Sequence, residues 1–277
     1  MNKTNDCEVK KYTGTGSEIR DDSLIVEEPL EIKLISQGKS HDLSVTMRTP
    51  GDDFNLVTGF LFTEGIIHKK DDIAKISFDS NAQLDDDELQ SQSVSVHLHK
   101  HIQLDLTALQ RHFYSSSSCG VCGKASIDLV KQQGLFIIEK NKPRISAATL
   151  YSIAELLNGQ QTLFTQTGGN HAAALFDGSA NLTSLCEDVG RHNAMDKLIG
   201  KSIKENLLPL RDHGVLVSGR AGFELVQKAW MSGIGLFVAI GAPSSLAVQL
   251  ADDVGITLVG FLSADRFNVY THPGRVK

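Results

Sequence analysis

Hydrophobic and polar positions alternate with two different periods along this chain, and the change of period marks its elements. "HDLSVTMRT" places Leu43, Val45 and Met47 at every second position, which predicts a strand with these three on one face. "PGDDFNLVTGFLFTEGII" spaces Phe54, Val57 and Leu61 at helical intervals after a Pro-Gly turn and predicts a helix. "KISF" and "SVSVHLHK" alternate again and predict strands on either side of the acidic stretch "DSNAQLDDDELQ". Residues 1–23 show no periodicity and are expected to form a flexible tail.

A polar hinge, "NKPRISA", is expected at 141–147, and the texture changes after it. "TLYSIAELLNG" predicts a helix, and "AAALFDGSANLTSLCED" a hairpin turning at Asp177-Gly178. "VGRHNAMDKLIGKSIK" carries a helical stripe of Val189, Met195, Leu198 and Ile199, with Asp188 as its expected cap. Short apolar runs ("GVLVS", "LFVAI", "TLVGFL") then alternate with the helical patterns "AGFELVQKAWMSG" and "SSLAVQLADDVG". Such alternation predicts parallel α/β architecture with right-handed crossovers. The expected organisation is a tail over 1–23, a sheet-rich α+β region over 24–146 and an α/β domain over 147–277.

In open α/β sheets a ligand lies at the carboxyl ends of the strands. Three turns are expected there: Ser218, Gly219 and Arg220 in "SGRAG"; Gly241 to Ser245 in "GAPSS"; and "FLSADRF" from Phe261 to Phe267. Bare backbone amides at a helix start suit a phosphate, and an arginine adds a bidentate contact. Each turn also has a plain reading as capping chemistry. Neither G-x-G-x-x-G nor a Walker A pattern is present, so NAD and ATP are not specifically indicated. His171 follows Gly168-Gly169 at a strand start, and Glu187, Asp188, Arg191 and His192 crowd the next turn. Both groupings fit local structure as well as a site.

Composition narrows the classes. Of 277 residues, 41% are hydrophobic and 22% charged, the mix of a globular protein with a sizeable core. A net charge of −6 argues against general nucleic-acid binding. No apolar run approaches a membrane span and no secretory h-region opens the chain, so the expected compartment is the cytoplasm, where thiols stay reduced. Cys7, Cys119, Cys122 and Cys186 are too unevenly spaced for a disulfide framework.

Cys119 and Cys122 form a C-x-x-C pair in "SSSSCGVCGKASID", within an expected loop over 113–126. Zinc would need four ligands, and no second pair or Pro-Cys-x-x-Cys follows a His-x-Glu. No resident metal is therefore expected. Disulfide cycling is feasible, with Lys124 favouring a thiolate, though the thioredoxin pattern opens a helix. Sulfur transfer needs an exposed thiol on an arm with reach, which Ser and Gly provide. The residues alone leave the last two readings level.

Several segments together resemble the FdhD family of formate dehydrogenase accessory sulfurtransferases: "SSCGVCGKASI", "TGGNHAAALFD", "EDVGRHNAMDKLIG", "SGRAGFELVQKA" and "TLVGFLSADRFNVYTHP". The resemblance spans roughly 24–276. It implies that a cysteine desulfurase loads a persulfide on Cys119, with Cys122 as partner. It implies delivery of that sulfur to bis-molybdopterin guanine dinucleotide before this cofactor enters formate dehydrogenase. Cofactor binding would then fall on Phe261, Leu262, Ser263, Ala264, Asp265 and Arg266, joined at the same edge by Ser218, Gly219, Arg220 and His171. A homodimer and a three-layer second domain like the cytidine deaminase fold, without its zinc, are implied as well. A non-catalytic molybdenum-cofactor chaperone and a thiol–disulfide oxidoreductase are the alternatives.

Overall fold

The computed structural model describes residues 2–79, 92–100, 102 and 134–277. Where a tail was expected, β1 (Thr4–Thr13) and β2 (Gly16–Ile25) pair in an antiparallel ribbon of ten register pairs. The correction has a local cause: "TGTG" supplies a turn, and strand-forming residues flank it without an apolar face. The ribbon roots itself where the Val26 amide donates to the Lys3 carbonyl and Ile25 packs on Gly169.

The next sheet has the order β4-β3-β6-β5, built from β3 (Glu28–Ser36), β4 (Lys39–Arg48), β5 (Ile73–Phe78) and β6 (Gln92–Leu98). Gln37 and Gly38, both at positive φ, close the β3–β4 hairpin in two residues. Leu30, Ile32 and Leu34 alternate inward as a half-buried strand requires. On β4 the predicted single face breaks. The register skips Leu43 as an extra residue, so Leu43 is buried while Val45 and Met47 point to solvent, 64% and 43% exposed.

The second sheet runs β12-β11-β10-β9-β7-β8. Its centre is the parallel trio β9 (Gly214–Val217), β10 (Leu236–Ala239) and β11 (Thr257–Gly260). Antiparallel β7 (His171–Phe176), β8 (Leu182–Asp188) and β12 (Asn268–Thr271) flank it. The four-residue trio strands are wholly buried, as expected for strands covered on both faces. One face packs on α4 (Arg191–Lys204), α5 (Phe223–Met231) and α6 (Ser245–Val254); the other packs on α2 (Ala147–Gln160). Ser146 and Ser244 cap α2 and α6 through their hydroxyls. A short α3 (Thr162–Thr167) leads into β7. The class is thus mixed α/β, with a three-layer sheet in the second half.

The two sheets share one core. α1 (Asp53–Thr63) crosses α4 in backbone contact: a Cβ on Gly59 would fall 1.9 Å from the Asp196 carbonyl oxygen, and one on Gly200 1.8 Å from that of Asn55. Leu56, Val57, Leu61, Met195, Leu198 and Ile199 surround this crossing and are fully buried. Residues 141–147 are not a free hinge either. The Ile145 amide donates to the Arg275 carbonyl, the Lys277 amide to the Ile145 carbonyl, and buried Arg275 donates from Nε to Lys142. Pairing with the chain's last residues supplies the hydrogen bonds that a sequence rich in polar residues hides.

Polar groups at the joint are paired rather than exposed. Asp188 does not cap α4, whose N-cap is Gly190. Its carboxylate instead meets Lys197 Nζ at 2.7 Å and accepts from the amides of Thr49 and Gly190. Lys228 Nζ joins Asp196 at 2.9 Å and donates to Thr63 Oγ1 at 2.8 Å, tying α5, α4 and α1 together. Burial would lower Lys228, but Asp196 and Glu64 outweigh it and hold the ammonium charged.

Candidate functional site

The three turns predicted at the carboxyl edge lie side by side. The Gly241 amide donates to the Gly219 carbonyl at 3.0 Å, and the Ala221 amide to that of Ala242 at 3.2 Å. The Phe261 amide donates to the Gly241 carbonyl at 3.1 Å, so the third turn hangs on the second. Gly241 is required by this stacking, because a Cβ there would lie 3.0 Å from Arg220 Cα. His171 joins the first turn: a Cβ on Gly219 would sit 3.4 Å from its Nδ1. Ser218 Oγ accepts from the Ala172 amide at 2.9 Å and fixes the start of β7 against β9.

Within the third turn the residues divide. Phe261 sits at φ 55, a left-handed conformation that a bulky side chain adopts only when its surroundings enforce it. The residue is 47% exposed. Leu262 is buried in the core, so it offers the edge backbone only. Ser263 Oγ donates to Asp265 Oδ1 at 2.8 Å and to the Arg266 carbonyl, which folds Ser263 to Arg266 into a tight turn. Ala264, Asp265 and Arg266 are exposed. Arg220 and Arg266 form no ion pair among the described residues.

A second group sits on the same edge, and its pairing is not visible in the sequence. α4 and α5 begin there, and His192 Nε2 lies 3.0 Å from Glu224 Oε2 across the two helices. Burial, then Lys228, Arg191 and His171, push His192 down to about 4. Burial and the Arg191 charge also lower His171, against Asp188. Both imidazoles are therefore neutral at physiological pH. The only signal available was that "GRHNA" and "GFELV" each open a helix after a strand of one sheet. Glu187, which shares that crowded turn, has a structural role. It accepts from the Leu163 and Phe164 amides and from Asn170 Nδ2.

Cys119 and Cys122, with the expected loop 113–126, lie outside the described residues. Cys186 is buried on β8, and burial pushes its thiol up to about 11, which leaves it protonated and unreactive. Among the described residues no three His, Cys, Asp or Glu side chains converge to hold a metal ion. No described helix is long and apolar enough to cross a membrane.

Fold and edge define a mixed α/β protein whose three predicted turns adjoin at the carboxyl edge of its second sheet. Residues 25–277 match the FdhD/NarQ family, and the chain belongs to it. It is 46% identical over 258 residues to the sulfur carrier protein FdhD of Streptomyces avermitilis, covering 93% of this chain and 90% of that one. The sulfur carrier protein FdhD of Mycolicibacterium paratuberculosis is 44% identical over 278 residues, with both chains fully covered. The crystal structure of a candidate formate dehydrogenase accessory protein from Desulfotalea psychrophila has the same fold, with TM-score 0.74 at 23% identity over both whole chains.

Proposed function

We propose that this chain is a cytoplasmic sulfur carrier of formate dehydrogenase maturation. It takes sulfane sulfur from a cysteine desulfurase on Cys119 and passes it to bis-molybdopterin guanine dinucleotide before that cofactor enters the enzyme. In the loading step the Cys119 thiolate attacks the outer sulfur of the donor's persulfide. The donor S–S bond breaks, its electron pair leaves with the donor thiolate, and a new S–S bond forms on Cys119. No net oxidation occurs. Cys122 is the partner thiol, and the protein works as a homodimer.

The observation that carries the acceptor half is the junction of three turns with Arg220 and Arg266, which form no ion pair among the described residues, and the exposed Phe261. Guanidinium groups suit pyrophosphate, and a ring face suits a base. The family's named relatives support the sulfur half.

The test uses the full chain with a desulfurase and labelled cysteine, read by mass spectrometry of the peptide holding Cys119. Cys119→Ala is expected to abolish both labelling and formate dehydrogenase activation; retention of both refutes the assignment. GDP titrations are expected to weaken about tenfold in Arg220→Ala and in Arg266→Ala, the scale of one charged hydrogen bond. Unchanged affinity in both refutes the nucleotide edge.

A further inference from the structure

The edge holds a set of charged and titratable groups that the three turns do not use. Arg191 and His192 open α4, Glu224 stands in the first turn of α5, and His171 opens β7. His192 Nε2 faces a carboxylate at 3.0 Å, so Nε2 carries the proton and Nδ1 keeps its lone pair. Carboxylate anchoring of one ring nitrogen fixes the tautomer and frees the other nitrogen for a ligand. Arg191 Nε is buried and has no hydrogen-bond partner among the described residues, a costly state for a charged donor. The guanidinium lies close enough to both imidazoles to depress them.

The remaining charges around the set are mostly neutralised in pairs. Lys228 of α5 is held by Asp196 of α4, and Asp188 at the end of β8 by Lys197. Among the described residues Glu224 is the carboxylate paired with the His192 imidazole, with its side chain 42% exposed. A half-buried arginine whose Nε is buried without a partner among the described residues, beside two neutral imidazoles, fits an oxyanion. The set also abuts the first turn, because His171 lines Gly219.

We infer that Arg191, His171 and His192 form a second oxyanion subsite, which takes a phosphate group and takes up a proton with it at His192. The inference rests on the nucleotide-bearing ligand proposed above and extends it: a ligand with two pyrophosphates needs more donors than Arg220 and Arg266 supply. An anion at Arg191 offsets one of the charges that, after burial and Lys228, hold His192 down. The protonated ring then bridges Glu224 through Nε2 and the ligand through Nδ1. The proton comes from solvent, and no bond to sulfur is made or broken. Because the complex raises the affinity of His192 for a proton, binding tightens as pH falls from neutrality toward about 4.

Calorimetry of the full chain tests this, with inorganic pyrophosphate and with GDP, in buffers of different ionisation heat near pH 6 and pH 7.5. The expected result is net proton uptake on binding, larger near pH 6 than near pH 7.5, with affinity tightening as pH falls. His192→Gln is expected to abolish the uptake and flatten the pH profile. Arg191→Gln is expected to weaken pyrophosphate about tenfold, with part restored by Arg191→Lys. Circular dichroism checks that each variant folds, and the wild-type proton count stands without them. The inference is overturned if wild-type binding takes up no proton, if His192→Gln keeps the uptake, if Arg191→Gln leaves affinity unchanged, or if neither ligand binds. Sulfur loading at the C-x-x-C peptide is read separately by mass spectrometry, so its loss or survival reports on the carrier function alone.

Discussion

The crossing of α1 over α4 offers a test with opposite signs for one chemical change. In Gly200→Ala the new methyl would stand 1.8 Å from the Asn55 carbonyl oxygen and 2.9 Å from the Gly59 amide nitrogen. Ordinary contact needs about 3.4 Å, so the helices must part by roughly 1.5 Å. Backbone atoms cannot rotate away as a side chain can. A polar tie between the same two helices is also short: Thr63 Oγ1 donates to Asp196 Oδ1 at 2.9 Å. Overpacking of this kind costs about 1–3 kcal/mol or more, and alanine returns about 1 kcal/mol of helix propensity. Lost dispersion along the parted seam places the net at about 2–4 kcal/mol of destabilisation. Urea unfolding followed by circular dichroism should show the midpoint falling by about 1 M with an unchanged slope. Gly159→Ala is the control. It lies in α2 with open space around its Cβ position, and should stabilise by about 0.4–1 kcal/mol. If Gly200→Ala is neutral or stabilising while the control behaves as stated, the backbone-contact seam is wrong.

Lys197→Met leaves the buried Asp188 carboxylate without its cation and should cost about 3–5 kcal/mol by urea titration; adding Asp188→Asn should restore part of it. Cys186 should resist alkylation near pH 8 in the native chain and react once unfolded, since its thiol is buried and raised to about 11. Rapid native labelling of Cys186, located by mass spectrometry, would contradict that.

The second half was readable because its strands are short, apolar throughout and bounded by glycine or polar turns. That is the signature of strands covered on both faces. The three turns at the carboxyl edge were readable for the same reason, since the strand ends locate them. What stayed hidden depends on pairing rather than composition. The Leu43 bulge is a register event that reverses which face Val45 and Met47 take. The role of Asp188 was invisible because its partners, Thr49 and Lys197, lie on another segment and one helical face further on. Residues 4–25 lack an apolar face, so no burial pattern announced their pairing.

The His192–Glu224 contact was hidden for a further reason, which concerns how the edge is built. α4 is placed by the first half of the chain as much as by its own sheet. Asn193 Nδ2 donates to the Met47 carbonyl at 2.7 Å, and the Val189 amide donates to Thr49 Oγ1 at 3.1 Å. Gly59 and Gly200 then set how closely α4 lies along α1. The orientation of the α4 start, and with it the reach of His192 to Glu224, is therefore fixed by contacts between residues 47–59 and 188–200. A boundary at residue 147 divides the strands into two sheets but does not divide this edge. Arg191, His192 and Glu224 hold their relative positions only while both halves of the chain are packed on α4.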